Sequence, residues 1–189
     1  IVNQGTFDAL SDGQIQHFSG TPRFTNTGTF NKRGLGTLPF SVACTNTGRI
    51  DVQAGLLQFY RAYTQTAGAT VLNGGNIQSA LTLDIQGGQL AGAGTITANV
   101  ASGGTVSPET STGILNISGN YTQNATGELD IEIGGPDPAT QFDQLKVTGI
   151  ATLAGKLRLT LINGYSPAPG TTFIVMTFAS RAGQLTEIV

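Results

Sequence analysis

A short unit recurs at the head of the chain and limits what the chain can fold into. Its clearest copy is Asn46-Thr47-Gly48-Arg49-Ile50-Asp51, preceded by Asn26-Thr27-Gly28-Thr29-Phe30-Asn31 and, earlier still, Asn3-Gln4-Gly5-Thr6-Phe7-Asp8. In each copy an Asn-x-Gly turn feeds a strand, with an apolar residue two places after the glycine and Asp or Asn three places after. The copies start 23 and then 20 residues apart, a spacing that belongs to stacked repeats. Strand side chains alternate, so Phe7, Phe30 and Ile50 should face a core. Their flanks, Thr6, Thr29 and Arg49 and then Asp8, Asn31 and Asp51, should face out. Like residues then recur in columns, as in a solenoid whose coils stack on one another.

Composition agrees with many tight turns between short strands. Charged residues are only 11% of the chain and glycine numbers 27 of 189 residues, against roughly 25% charged residues in ordinary soluble domains. No window sustains an apolar stripe at i, i+3, i+4, i+7, so helices are not expected. The nine Lys and Arg are scattered and the net charge is −2, which leaves no basic stripe for nucleic acid. No apolar run approaches the roughly 18 residues that would suggest membrane insertion. Ile1 begins directly on the repeat pattern, so the chain reads as a mature or excised piece of a longer protein. Cys44 is the single cysteine and reads as a small buried apolar residue.

Between the copies, Phe18, Phe24, Leu38 and Phe40 are expected to fill the same core from other faces. The stretch Leu56 to Tyr63 is the richest aromatic cluster. With Leu57 and Phe59 inward, Arg61 would also point in unless the strand ends or bulges there. Tyr60 would then face solvent and Tyr63 would begin the next inward set. From 64 to 107 frequent glycines leave room only for strands of about three to five residues. The tail from 108 differs. Glu128-Leu129-Asp130-Ile131-Glu132-Ile133 alternates acids with aliphatics, and Lys156-Leu157-Arg158-Leu159-Thr160-Leu161 is its basic complement. These two strands are expected to be neighbours joined by cross-strand ion pairs.

Tyr63-Thr64-Gln65, Gly103-Gly104-Thr105-Val106-Ser107-Pro108, Tyr121-Thr122-Gln123 and the run from Gly127 to Gly135 resemble the repeats of bacterial autotransporter-type and filamentous-haemagglutinin-type passengers. The tail from Phe142-Asp143-Gln144-Leu145-Lys146-Val147 to Phe173-Ile174-Val175 resembles the terminal segment of such arrays. The resemblance implies an all-β, right-handed parallel β-helix (β-solenoid) on a secreted or cell-surface bacterial protein, and it carries over no catalytic residue. Within one domain, residues 1–107 would form coils, and 108–189 the final coils with a C-terminal capping segment that shields an exposed edge.

Chemistry is read mostly by exclusion. A Ser-His-Asp or Cys-His arrangement needs a histidine base, and the only histidine, His17, stands near no nucleophile-elbow pattern and reads as solvent-facing. Three or four short-spaced zinc ligands are missing. Asp8 and Asp51 share a register and could pair around a sugar as glycosidase carboxylates do, but the repeat itself accounts for them. No cofactor is expected. Asp137 and Asp143 flank a Pro-rich loop that could hold one weak calcium, although so few ligands suit a plain surface loop better. The sequons at Asn116, Asn120 and Asn124 are what a chain rich in Asn and Thr contains by chance.

Binding survives these exclusions. Sugar recognition joins apolar platforms to a few placed polar groups. Gln58, Tyr60, Arg61 and Tyr63 have that composition, with Arg49 and Asp51 on the adjoining coil face, and these six are the candidate ligand-binding residues. The function expected is a non-catalytic extracellular module that binds plant or microbial cell-wall polysaccharide along one face. It would serve as a carbohydrate-binding module or adhesive segment beside other domains of the same polypeptide. A purely structural stalk is the alternative, and a polysaccharide-degrading β-helix enzyme comes third.

Overall fold

The computed structural model describes residues 1–17, 19–108 and 112–189; Phe18, expected in the core, lies outside them. Among the described residues there is no helix. The strands stack in parallel on three faces of a β-solenoid. Face A is a nine-stranded sheet running from Val2–Asn3 to Ser180–Gly183. Face B runs from Thr6–Ala9 to Glu187–Ile188, and face C from Thr37–Phe40 to Met176–Thr177. The three Asn-x-Gly units are the corners from A to B. Phe7, Phe30 and Ile50 stand in one column of face B, with Asp8, Asn31 and Asp51 in the next.

Faces B and C form one 15-stranded sheet because the strand Gln89–Thr97 serves both, pairing with Thr105–Ser107 on B and with Ile114–Ile117 on C. This nine-residue strand departs from the three to five residues expected. Its bend falls at Gly92, whose φ is 101° and whose missing side chain would meet the Leu72 carbonyl of the coil below. Glycine alone accepts both conditions at little cost, so the corner is made without breaking the strand.

One cluster of buried side chains runs from Ala9 to Leu157. In the coils around Phe24, Phe30 and Phe40 each face sends an aromatic ring to the centre. Their centroids lie 5.2–5.6 Å apart at steep angles, the edge-to-face geometry that aromatic quadrupoles favour. Cys44 is buried as expected, and burial pushes its thiol up to about 12.

The A-to-B corners carry a second, polar spine. Asn3, Asn26, Asn46 and Gln65 occupy one register column and all are buried. Asn3 Nδ2 donates to Asn26 Oδ1 at 2.7 Å, Asn26 Nδ2 to Asn46 Oδ1 at 2.8 Å, and Asn46 Nδ2 to Gln65 Oε1 at 3.2 Å. The same amides donate to backbone carbonyls of the corner, such as Arg49 O at 3.0 Å and Ala69 O at 3.2 Å. Further along, Gln123 Nε2 donates to Ala154 O and Lys156 O, both at 2.8 Å. A sharp corner turns carbonyls inward, and a buried carbonyl without a donor is costly. The column of Asn and Gln supplies those donors. Corner glycines stack as well: a Cβ at Gly68 would collide with the Gly48 carbonyl, so the coils approach too closely for a side chain there.

The tail keeps the pairing and loses the burial. Glu128–Ile133 and Lys156–Leu161 pair through six residues, with Glu128 opposite Lys156 and Asp130 opposite Arg158. Arg158 grips Asp130 through two nitrogens at 3.0 and 2.7 Å and also reaches Glu128 at 3.2 Å. Lys156 turns instead to Glu187 of the next strand. The segment expected to cap the C terminus continues the stacking. Met176–Thr177, Ser180–Gly183 and Glu187–Ile188 add one more strand to each face. Ser180–Gly183 is exposed throughout, as are Phe178, Ile188 and Val189, so the tail extends the solenoid.

Candidate functional site

The six candidate residues fall on three faces. Arg49 and Asp51 lie on face B in the strand Arg49–Val52, and Gln58 on face C in Leu56–Phe59. Tyr60 and Arg61 form the C-to-A corner, and Tyr63 opens the face-A strand Tyr63–Gln65. A single flat face bearing all six does not exist.

Tyr63 is the clearest correction. It continues the inward column of Phe24 and Cys44, its ring packs 4.7 Å from that of Phe59, and it is 1% exposed. Its hydroxyl bonds to Thr70 and donates to Gln65 Oε1, and burial pushes the phenol above its ordinary range. The ring offers no surface to a ligand.

Arg49 and Asp51 are occupied with each other: Arg49 Nη2 donates to Asp51 Oδ2 at 3.2 Å. The column expected to face solvent is closed laterally. Asn31 and Asp51 are buried, Asn31 Nδ2 donates to Asp8 Oδ1 at 2.7 Å, and Arg33 lies 3.4 Å from Asp8. Alternation set the direction of these side chains correctly, but stacking at about 4.8 Å per coil lets each shield the next. Asp51 Oδ1 is buried without a hydrogen-bond partner among the described residues. Gln58 is half-buried and donates to Gln78 Oε1 on the neighbouring coil at 3.2 Å.

Tyr60 and Arg61 remain open. The strand ends at Phe59, which frees Arg61 from pointing inward, and Tyr60 is 51% exposed. Arg61 borders a groove of about 580 Å³ along the C-to-A corner, shared with His17, Pro22, Arg23, Ser41, Val42, Ala43 and Ala62. His17 is exposed there, its Nδ1 3.3 Å from the Ser19 carbonyl oxygen. Arg23 carries no signal of its own in the sequence, and His17 is exposed as its sequence context suggests. The signal lies in the register: Arg23, Ala43 and Ala62 each stand one place before the inward Phe24, Cys44 and Tyr63, so registering these residues puts both arginines on one corner.

Other chemistry is tied up in holding the fold. Lys32 is fully buried, its ammonium donating to the carbonyls of Gly34, Gly36 and Ala54; burial lowers its pKa, opposed by the nearby Asp12 carboxylate. Asp143, considered with Asp137 for a weak calcium, turns inward and accepts the N–H groups of Gly113 and Glu132 at 2.8 and 2.9 Å. Burial pushes its carboxyl up to about 6. Among the described residues no group of three or more His, Cys, Asp and Glu is placed to hold a metal ion. Comparison with protein families, with curated proteins and with solved structures finds no match to this chain.

Proposed function

We propose that this chain is a non-catalytic module that binds polysaccharide along the C-to-A corner of its solenoid. It would work within a larger secreted or cell-surface bacterial protein of the autotransporter or filamentous-haemagglutinin type, as a carbohydrate-binding or adhesive segment. The observation that carries the reading is the open groove bordered by Arg61, with the exposed Tyr60 next to it in the chain. An open groove lined by both apolar and polar side chains suits an extended chain of sugar rings better than a compact ligand, which needs enclosure. The exposed Tyr60 ring supplies a face on which a pyranose can stack.

Affinity electrophoresis on xylan, pectin, glucans and cellulose tests this, with retardation expected on at least one. Tyr60→Ala should weaken that retardation about tenfold, the loss of one well-placed aromatic contact. No retardation on any of the four would overturn the reading. A structural stalk that positions other domains of the same polypeptide draws on the unbroken parallel pairing of face A and would then take its place. Release of reducing ends or unsaturated uronates by the purified chain would replace both with an enzyme.

A further inference from the structure

Cations in this chain are mostly spoken for. Arg33 and Arg49 sit beside Asp8 and Asp51, Lys156 meets Glu187, Arg158 meets Glu128 and Asp130, and Lys32 is enclosed by carbonyls. The other four, Lys146, Arg181, Arg23 and Arg61, form no ion pair among the described residues, and of these only the last two share a groove. Both are exposed, neither forms an ion pair among the described residues, and both border the C-to-A groove with His17 beside them. Among the described residues no Asp or Glu lines that groove. In a chain of net charge −2 a corner with two unpaired guanidinium groups and no acid is a local reversal of sign.

The spacing of the pair is fixed by the fold. Arg23 stands opposite Ala43, and Ala62, adjoining Arg61, is level with Ala43 because Tyr63 stands opposite Cys44. The arginines are therefore two coils apart, about 9.6 Å along the axis at about 4.8 Å per coil. The small side chains of Ser41, Ala43 and Ala62 line the groove with them. Each guanidinium presents a planar fork that matches a carboxylate in bidentate fashion. The repeat of a linear pyranose chain is of the same order as one coil, so a polymer lying along this corner brings substituents of alternate sugars to the two forks.

We infer that the groove selects an anionic, carboxylate-bearing glycan, a polyuronate, with Arg23 and Arg61 gripping carboxylates of two sugars in one chain. The inference rests on the polysaccharide reading above and narrows it to one chemical class. Neutral glycans leave both cations unsatisfied and bind weakly.

The test is affinity electrophoresis of the chain on polygalacturonate, neutral xylan, a neutral glucan and dextran sulfate, repeated with Arg23→Gln, Arg61→Gln and the double variant. Retardation is expected on polygalacturonate and at least tenfold weaker on the neutral polymers. Each single variant should lose about tenfold and the double about a hundredfold, as for charge-assisted hydrogen bonds at separate sites. Arg181→Gln, on the far end of face A, should leave binding unchanged. Circular dichroism should show all variants folded, since neither arginine side chain of the pair supports the core. Equal retardation on neutral glycans, untouched by the double variant, overturns the charge assignment and leaves polysaccharide binding standing. Equal retardation on dextran sulfate overturns the carboxylate assignment, and no retardation on any polymer overturns both readings.

Discussion

The coils from Arg23 to Gln65 and the tail beyond Gly127 use the same parallel pairing, yet different forces hold them. In the first region aromatic rings meet at the centre and a ladder of Asn and Gln runs inside the wall. In the tail the regular feature lies outside, in the ion pairs between Glu128–Ile133 and Lys156–Leu161. Leu159 and Leu161, opposite the buried Ile131 and Ile133, are already exposed. Backbone pairing alone propagates the coil, but it is the interior that makes a coil rigid: each internal hydrogen bond or ring contact is shielded from water, whereas exposed ion pairs are screened. The groove at Arg23 and Arg61 sits on the coils with the aromatic interior, where a binding corner is best held in place.

The largest effect is expected from the ring cluster. Phe30→Ala should cost about 3–5 kcal/mol in urea unfolding, while Leu161→Ala in the tail should stay within about 0.5 kcal/mol. Similar losses at the two sites would erase the distinction between the regions. Asn46→Ala should cost about 1–3 kcal/mol, since it strips donors from the Gly48 and Ala69 carbonyls and leaves an Asn26 amide hydrogen without its acceptor. Retained stability there would mean that water replaces the ladder.

Asp143 gives the tail a pH dependence in the mildly acidic range. Its carboxyl ordinarily titrates at 3.8 and in the fold is pushed up to about 6, chiefly by burial and against two backbone N–H donors. The folded chain thus holds the proton more tightly than the unfolded chain, so this contribution is full below about pH 4 and is lost as the pH rises through about 6. Denaturation midpoints from pH 4 to 7 should fall in the native chain relative to Asp143→Asn. Parallel curves for the two proteins would refute the assignment. A small effect is also expected at Arg158→Ala. Its ion pairs are exposed, so about 0–1 kcal/mol should be lost, and less in high salt. A loss approaching that of Asn46→Ala would place the strength of the tail on its surface after all.

Much of this was legible beforehand, for a physical reason. A residue in a stacked coil has like neighbours above and below, so a column appears in the sequence as a spacing. The Asn-x-Gly units, the inward places of Phe24, Phe30, Phe40, Ile50, Leu57 and Phe59, and the pairing of the acidic with the basic strand all follow from spacing and alternation. The candidate site was legible only in part. Tyr60 and Arg61 stood out because they interrupt the alternation, and the structure leaves both on an open corner. Tyr63 has the chemistry of a binding residue, but alternation points it inward, where it packs on Phe59.

By itself, then, the sequence determined the parallel stack, its register columns and which side of each strand meets the core, because those are local consequences of turn spacing and a period of two. The tertiary structure alone decided which columns share a face. Alternation distinguishes in from out but not one of three walls from another, so Arg49, Gln58 and Tyr60 parted company while Arg23 and Arg61, 38 residues apart, came to border one groove. It also decided that Asn31 and Asp51 are closed off by their neighbours, since shielding depends on what stands one coil away and not on what comes next in the chain.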